Sequence, residues 1–224
     1  MFGSIRILGR GRVGTAIAAR LSERGHQIDD EGDLVLLCVL DSAIAEVANT
    51  IPAGPWVAHT SGATSLSALA PHVKRFGLHP LQTIILGRGP EQLDGAWAAI
   101  TGENPDAVAR ASWLAVELGL KPFQIADDMR ALYHAGAAIG SNYLVTLHQV
   151  ASDMLQRAGA PPEALLPLMQ RVIDNSFEFT GPIARGDWQT IEAHLAAIRL
   201  YTPELEPVYL ALAHLTKQKL EGKR

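Results

Sequence analysis

The feature that most constrains the fold of this 224-residue chain is a glycine-rich turn near its N-terminus. Gly9, Gly11 and Gly14 match the spacing G-x-G-x-x-G, between a strand-like run at residues 5–8 and an apolar helical stretch. In this context the first glycine permits a tight turn, the second lets a pyrophosphate approach the backbone, and the third allows close helix–strand packing. The turn predicts a dinucleotide site. A purely structural strand-to-helix turn is the alternative.

The rest of the chain divides into two patterns. Strand-like apolar runs alternate with helical stretches in the first half, which is typical of βαβ units and a parallel sheet. After residue 125 only helical patterns occur, beginning with a helix that we expect to start at Asp127 or Asp128 and run unbroken to about residue 157. We therefore predict an α/β Rossmann-like parallel sheet in a dinucleotide-binding domain at 1–125, followed by an all-α domain at 126–224.

The predicted sheet is shortened after its second strand. An acid that recognises the ribose is expected about 20 residues after the first glycine, and Asp29 and Asp30 have that spacing. The next strand-like run already begins at Leu34, which leaves no residues for the helix and strand that normally intervene. The acidic residues are either a ribose site or a solvated turn. Because Arg10 and Arg12 could instead meet a 2′-phosphate, the choice between NAD and NADP stays open.

Composition and charge exclude several classes of protein. Hydrophobic residues make up 48% of the chain and charged residues 19%, which is typical of a globular protein. A net charge of -4 argues against a nucleic-acid partner. The longest aliphatic run, at residues 34–40, is well below the ~18 residues of a membrane span, and no signal peptide is visible. The single cysteine, Cys38, favours a reducing compartment, so we predict a cytoplasmic protein.

Polar residues follow the predicted strands, where ligands of such sheets gather. Leu40 and Asp41 follow one strand and His59 ends the next, and we expect these three to contribute to the cofactor site. Ser61 is a candidate to polarise a substrate oxygen, with a local turn as the alternative. His79, held extended before a proline, is a candidate for substrate binding. His59 could equally be a core histidine.

The first predicted helix after residue 125 carries a more unusual set of residues. His134 and Ser141 are seven residues apart and share one stripe, with Asn142 beside it. Gly136 and Gly140 are costly inside a helix, which indicates close approach by another helix or by a flat ligand. The pKa of a free histidine, about 6.5, suits proton transfer, so His134 is a candidate general acid/base.

A third cluster occupies residues 180–187. Asp187 is placed to cap the helix that follows it. Arg185 offers a planar fork for a carboxylate or phosphate, or is a surface arginine in an interhelical turn. We predict no metal site.

Together these motifs resemble a family of predicted oxidoreductases that joins a Rossmann-like NAD(P)-binding domain to a helical C-terminal domain of unknown function. The family is similar to the 6-phosphogluconate dehydrogenase-like superfamily, which includes prephenate dehydrogenase, hydroxyisobutyrate dehydrogenase and ketopantoate reductase. Asn142 falls at the asparagine of hydroxyisobutyrate-type enzymes, whereas Ala138 replaces their lysine. The matching stretches are residues 9–14, 33–44, 59–63, 77–82, 133–143 and 180–187.

The resemblance implies hydride transfer to or from a small carboxylated carbonyl or alcohol, with NADP or NAD as cofactor and NADP favoured. His134, Asn142 and Ser61 would be catalytic, and Ser141, Arg185 and His79 would bind substrate. Because a helical half of about 100 residues cannot close a cleft alone, we also expect a homodimer formed through the helical domain. The alternative is a non-catalytic nucleotide- or metabolite-binding protein that has lost part of the cofactor pocket. The residues expected to hold the cofactor are Gly9, Arg10, Gly11, Arg12, Val13, Gly14, Leu40, Asp41 and His59.

Overall fold

The structure is a computed structural model that describes residues 2–222, and these residues form two compact units that divide between Tyr143 and Leu144. The first unit contains a seven-stranded sheet. The second consists of helices. The strands are β1 (Ser4–Leu8), β2 (Gln27–Ile28), β3 (Leu34–Leu37), β4 (Trp56–His59), β5 (Arg75–Leu81), β6 (Trp97–Gly102) and β7 (Lys121–Gln124).

Helices flank the sheet and make up the second unit. The last strand ends at Gln124, close to the predicted change from α/β to all-α structure, and the first helix after it belongs to the compact unit that contains the sheet. The separate domains 1–125 and 126–224 stay a prediction. The helices are α1 (Arg12–Glu23), α2 (Ile44–Asn49), α3 (Pro105–Glu117), α4 (Arg130–Gly140), α5 (Asn142–Arg157), α6 (Leu165–Asp174), α7 (Pro182–Arg185), α8 (Trp188–Tyr201) and α9 (Glu206–Glu221).

The sheet has the order β2-β1-β3-β4-β5-β6-β7. Strands β1 to β5 are parallel, β6 is antiparallel to β5, and β7 is parallel to β6. The predicted α/β Rossmann-like sheet followed by helices is confirmed. The antiparallel pairing departs from the expected parallel sheet because the chain between β5 and β6 contains only a short 3-10 helix, Pro90–Leu93, and no crossover α-helix.

The sheet is buried on both faces by apolar side chains. All four residues of β3 are buried; Leu34 and Leu36 belong to one apolar cluster, and Val35 and Leu37 to another. Since successive side chains of a strand point to opposite faces, the two clusters lie on opposite sides of the sheet. Helix α1 adds Ala16, Ile17 and Leu21 to the first cluster. The continuous apolar run in the sequence of β3 is therefore explained by the burial of this strand on both faces of the sheet.

The predicted unbroken helix from residue 127 to 157 is wrong. Ser141 has non-helical backbone angles, φ −126° and ψ −77°, and separates α4 from α5. Its hydroxyl donates to the carbonyl of Ala137 at 2.7 Å, a local hydrogen bond that competes with the helical pattern. Asp127 does not cap its own helix either, because its carboxylate accepts hydrogen bonds from the Ser65 hydroxyl and the Leu66 amide of a distant 3-10 helix. The predicted cap at Asp187 is confirmed by its hydrogen bond from Thr190 N, 3.1 Å.

The helical unit has a sparse core. Among the residues from 144 to 222, only Leu165, Ile191 and Ile198 are buried apolar side chains. Many larger apolar side chains of α6, α8 and α9 are exposed, including Leu166, at 61%, and Leu200, at 71%. Within residues 2–222 no helix combines the length and apolarity that crossing a membrane requires.

Candidate functional site

The glycine turn has the packing that its sequence predicts. Gly9 has a φ of +104°, and a Cβ there would collide with the backbone of Cys38. A Cβ at Gly14 would collide with the carbonyl of Gly9. By contrast, no atom lies within 4 Å of the position that a Cβ on Gly11 would occupy. The turn is therefore closely packed behind Gly9 and Gly14 and has open space at Gly11, where a ligand can approach the backbone.

The N-terminus of α1 is suited to an anion. Gly11 is the N-cap residue, so no side chain accepts hydrogen bonds from the first amides of the helix, and its first turn holds no acidic residue. Free amides and the helix dipole together attract a phosphate or carboxylate. The cradle at Gly11 and these amides fit the pyrophosphate of a dinucleotide.

A cleft of about 1060 Å³ in the first unit connects this turn with α4. It brings together six of the predicted site residues, although they come from distant parts of the sequence. The remaining lining comes from residues 81–85, from Tyr133 and from small residues of α4, including Gly136 and Gly140. The six predicted residues in the cleft are Arg12, Val13, His79, His134, Ser141 and Asn142.

Two histidines and a tyrosine form the polar centre of the cleft. His79 Nδ1 lies 2.8 Å from the hydroxyl of Tyr133, and the rings of His79 and His134 are nearly perpendicular, with centroids 5.5 Å apart. A Cβ on Gly62 would collide with the His134 ring and lie 3.0 Å from His79 Nε2. The absence of a side chain at Gly62 thus lets the β4 end pack directly against both imidazoles.

Burial sets the protonation of this group. It lowers the pKa of His79 to about 4, with a further contribution from the charges of His134 and Arg130. Burial also raises the pKa of Tyr133 to about 12. Near neutral pH, His79 is therefore an uncharged imidazole and Tyr133 an uncharged phenol.

Arg130, which the sequence reasoning missed, links the elements around the cleft. It is fully buried at the start of α4, where Nη1 donates to Thr101 of β6 at 2.8 Å and Nη2 donates to the Ser61 carbonyl. Gly77 makes room for it, since a Cβ there would lie 2.7 Å from Nη1. The sequence signal for this contact is Gly77, because a glycine within a β-strand often marks the close approach of another group.

Ser61 is already satisfied by neighbouring groups. Its hydroxyl lies 2.7 Å from Asp41 Oδ2 and 2.8 Å from Thr64 Oγ1, and it accepts hydrogen bonds from the amides of Ala63 and Thr64. A hydroxyl has a single proton to donate, and here Asp41 and Thr64 are the acceptors within reach of it. The amides of Ala63 and Thr64 donate to the same hydroxyl, which supports the alternative of a local turn at Ser61.

His59 lies behind the cleft rather than in it. Its side chain has no exposed surface, and within residues 2–222 neither ring nitrogen has a hydrogen-bond partner. Burial lowers its pKa to about 3, and the charge of Arg130 adds to this. This burial is that of a core histidine, although the backbone hydrogen bond expected for such a histidine is not found in the described part of the chain. A contribution of His59 to the cofactor site stays a prediction.

The remaining predicted residues lie outside the cleft lining. Gly9, Arg10, Gly11 and Gly14 form the turn itself. Leu40, with 79% of its surface exposed, and Asp41 follow β3. Arg185 belongs to the helical unit, is exposed, and donates to the carbonyl of Thr180. Across residues 2–222, no group of three or more His, Cys, Asp and Glu side chains is arranged to hold a metal ion.

Comparison with known sequences identifies the family. The sequence profile of a domain of unknown function, DUF2520, matches residues 96–216. The chain belongs to the DUF2520 family. This match confirms the resemblance to a family whose C-terminal part is a domain of unknown function. A comparison with curated protein sequences finds no significant match.

Solved structures share the fold over the whole length of the chain. A Bacteroides fragilis protein provisionally named an NADP oxidoreductase has 20% identity and a TM-score of 0.81, covering 96% of this chain and 98% of its own. A Thermotoga maritima protein has 22% identity and a TM-score of 0.79, covering 98% and 99%. A reductive aminase from Aspergillus terreus, solved with NADPH, has 16% identity and a TM-score of 0.67, covering 100% and 95%. At these identities the likeness concerns the fold.

The burial of His79 predicts an unusual titration. We expect the imidazole of His79, followed by ¹H–¹⁵N NMR, to take up its second proton at a pH of about 4. His134→Ala should raise this pKa because it removes a neighbouring positive charge. Since the pKa of His79 is lower in the folded protein than in the unfolded chain, the unfolded chain binds more protons between about pH 4 and pH 6.5, and stability should fall as the pH falls through that range. An NMR titration midpoint of His79 at or above pH 6.5 would contradict the lowered pKa of this residue.

Proposed function

We propose that this protein is an NAD(P)-dependent oxidoreductase that transfers a hydride to or from a small carboxylated carbonyl or alcohol. The observation that carries the proposal is the single cleft that joins Arg12 and Val13 of the glycine turn to His79, His134 and Asn142. A cofactor with its pyrophosphate at the turn would extend its reactive end into a cleft lined by groups able to move a proton.

The residues divide the cofactor and substrate tasks between them. The backbone of Gly9–Gly14 and the first amides of α1 would hold the pyrophosphate, and Arg12 would add a positive charge to the same end of the cleft. The small residues Gly136 and Gly140 of α4 leave room for a flat ring. When bound, a nicotinamide cofactor supplies or accepts the hydride.

His134 is the proposed general acid/base. It lies in the cleft and is held against Gly62 and His79, so its ring is fixed relative to the sheet. In the reducing direction it would donate a proton to the substrate oxygen, and in the oxidising direction it would accept one. Asn142 lines the same cleft and would orient that oxygen, with Ser141 beside it. Ser61 would keep Asp41 and the β4 end in place.

The similar structures support this proposal. The Aspergillus terreus reductive aminase was solved with NADPH, and the Bacteroides fragilis protein is provisionally named for NADP. The proposed cofactor is therefore NADP or NAD. Arg185 stays a prediction as the anchor of a substrate carboxylate.

A second candidate function is non-catalytic binding of a nucleotide or metabolite. The observation that favours it is β2, which has only two residues and leaves the nucleotide side of the sheet incomplete. Such a protein would bind ligand in the cleft without turning it over, so assays of turnover with a candidate substrate panel separate the two functions.

A matched pair of glycine substitutions tests cofactor binding. Gly11→Val should weaken the binding of NADH or NADPH at least about tenfold, because the side chain fills the cradle at the pyrophosphate position. Gly181→Val is the control, since Gly181 has similar extended backbone angles and open space but lies in the helical unit. Isothermal titration calorimetry measures both. Equal affinities in the two variants would count against the glycine turn as the cofactor site.

Loss of the His134 imidazole tests the catalytic assignment. With a substrate found by panel screening, His134→Ala should lower turnover by roughly 10²–10⁴ while cofactor binding persists. The exposed His214 serves as a control position, and His214→Ala should leave turnover unchanged. Turnover at the wild-type rate in His134→Ala would remove this residue from the mechanism.

We also propose that the helical unit forms a homodimer, and that the protein is cytoplasmic. A compact unit of this size with three buried apolar side chains lacks the core that independent stability requires. Its exposed leucines on α6, α8 and α9 supply the apolar area that a second copy would cover. The lone Cys38 fits a reducing compartment.

The dimer makes stability depend on concentration. We expect sedimentation equilibrium to give twice the mass of the chain, and the guanidinium midpoint of unfolding to rise as protein concentration increases. A monomer with full helical content and a midpoint independent of concentration would contradict the proposal.

A further inference from the structure

The acidic residues that follow β2 lie at the level of Ile5 of β1, whereas an acid that recognises the ribose would lie near the C-terminal end of β1. Ile28 pairs with Ile5, and the amide of Asp29 donates to the Ile5 carbonyl at 3.1 Å. Strand β3 starts at Leu34, which is again opposite Ile5. The chain from 29 to 33 therefore crosses from one side of β1 to the other at the level of Ile5, whereas the glycine turn begins beyond the C-terminal end of β1.

The distance along β1 between Ile5 and Gly9 is large compared with the length of a hydrogen bond. Residues 6–8 separate Ile5 from Gly9, and a rise of about 3.3 Å per residue places the two levels more than roughly 10 Å apart. A ribose attached to a pyrophosphate at Gly11 would therefore lie far from the carboxylate of Asp29.

The acidic side chains are also engaged locally. The Asp29 carboxylate accepts hydrogen bonds from Gln27 Nε2 at 2.8 Å and from the Asp30 amide at 2.7 Å. Asp33 accepts from the amide of Gly3 at 2.9 Å, just before β1. These contacts stabilise the short connection between β2 and β3. Of the two interpretations of the acidic residues, these contacts favour the solvated turn over the ribose site.

On the β2 side of β1, the strand pairing stops after Ile5. Strand β2 pairs only with Ser4 and Ile5, so in the part of the chain that the structure describes no strand lies beside residues 6–8 on that side. In a complete Rossmann sheet the second strand continues past this level and carries the ribose-binding acid at its end. Here that wall of the adenosine pocket is absent.

The opposite half of the site is complete by contrast. Gly11 provides the cradle, the first turn of α1 provides free amides, and the cleft continues to His79 and His134. The groups available to a ligand thus match a nicotinamide ring, its ribose and the phosphate next to it.

We infer that the protein recognises the nicotinamide mononucleotide half of its cofactor and makes no specific contacts with the adenosine half. This inference rests on the proposed function. It has two consequences. Reduced nicotinamide mononucleotide, which lacks the adenosine monophosphate half, binds nearly as well as NADH. A 2′-phosphate on the adenosine ribose changes affinity little, so NADH and NADPH are bound alike.

Isothermal titration calorimetry of the full-length protein with three probes tests the inference. We expect the dissociation constants of NADH, NADPH and reduced nicotinamide mononucleotide to agree within about tenfold, which corresponds to about 1.4 kcal/mol. The double variant Asp29→Asn/Asp30→Asn should keep the NADH-to-NADPH affinity ratio unchanged.

Each contrary result has a distinct meaning. NADH binding more than about a hundredfold tighter than the mononucleotide would overturn the inference while supporting the proposed function. A tenfold or greater shift of the NADH-to-NADPH ratio in the Asp29/Asp30 variant would restore the acidic turn as a ribose site and overturn the inference. A strong NADPH preference that Arg10→Ala abolishes would overturn it by assigning the 2′-phosphate to Arg10. If none of the three probes binds, the proposed function itself fails.

Discussion

The buried guanidinium of Arg130 is the interaction on which the candidate site depends. A buried charge is costly unless hydrogen bonds compensate it, and here the Thr101 hydroxyl and the Ser61 carbonyl accept from it. These two acceptors lie on β6 and just after β4, so the guanidinium ties the start of α4 to the sheet. Tyr133 and His134 follow within one turn of that helix. Their places beside His79 and Gly62 are consequences of this link.

The two halves of the nucleotide site have different structural support. The glycine turn is built from local packing, in which Gly9 and Gly14 make contacts that no other residue permits. The adenosine side normally depends on a longer second strand and on the elements that follow it. Here β2 ends after two residues and the chain passes at once to β3. The shortening removes recognition of the adenosine end without disturbing the turn or the cleft.

The parts of the fold and site that could be predicted are those encoded locally. The glycine spacing predicts its turn. The helical stripe expected for His134 and Ser141, with Asn142 beside it, does not explain why all three line one cleft, because the chain leaves helical geometry at Ser141. Strand β7 was not predicted because Pro122 interrupts its pattern. The burial of His59 and the partners of Ser61 are tertiary contacts with residues far away in the sequence. No local pattern reports them, and the same is true of Arg130.

In the proposed complex, the cleft from the glycine turn to His134 binds a nicotinamide cofactor by its nicotinamide end. Hydrogen–deuterium exchange with and without saturating NADH tests it most directly. We expect slower exchange in residues 9–15, 81–85 and 130–143 when NADH is bound, and unchanged exchange in residues 26–34. Protection confined to residues 26–34, or none in residues 9–15 and 130–143, would contradict it.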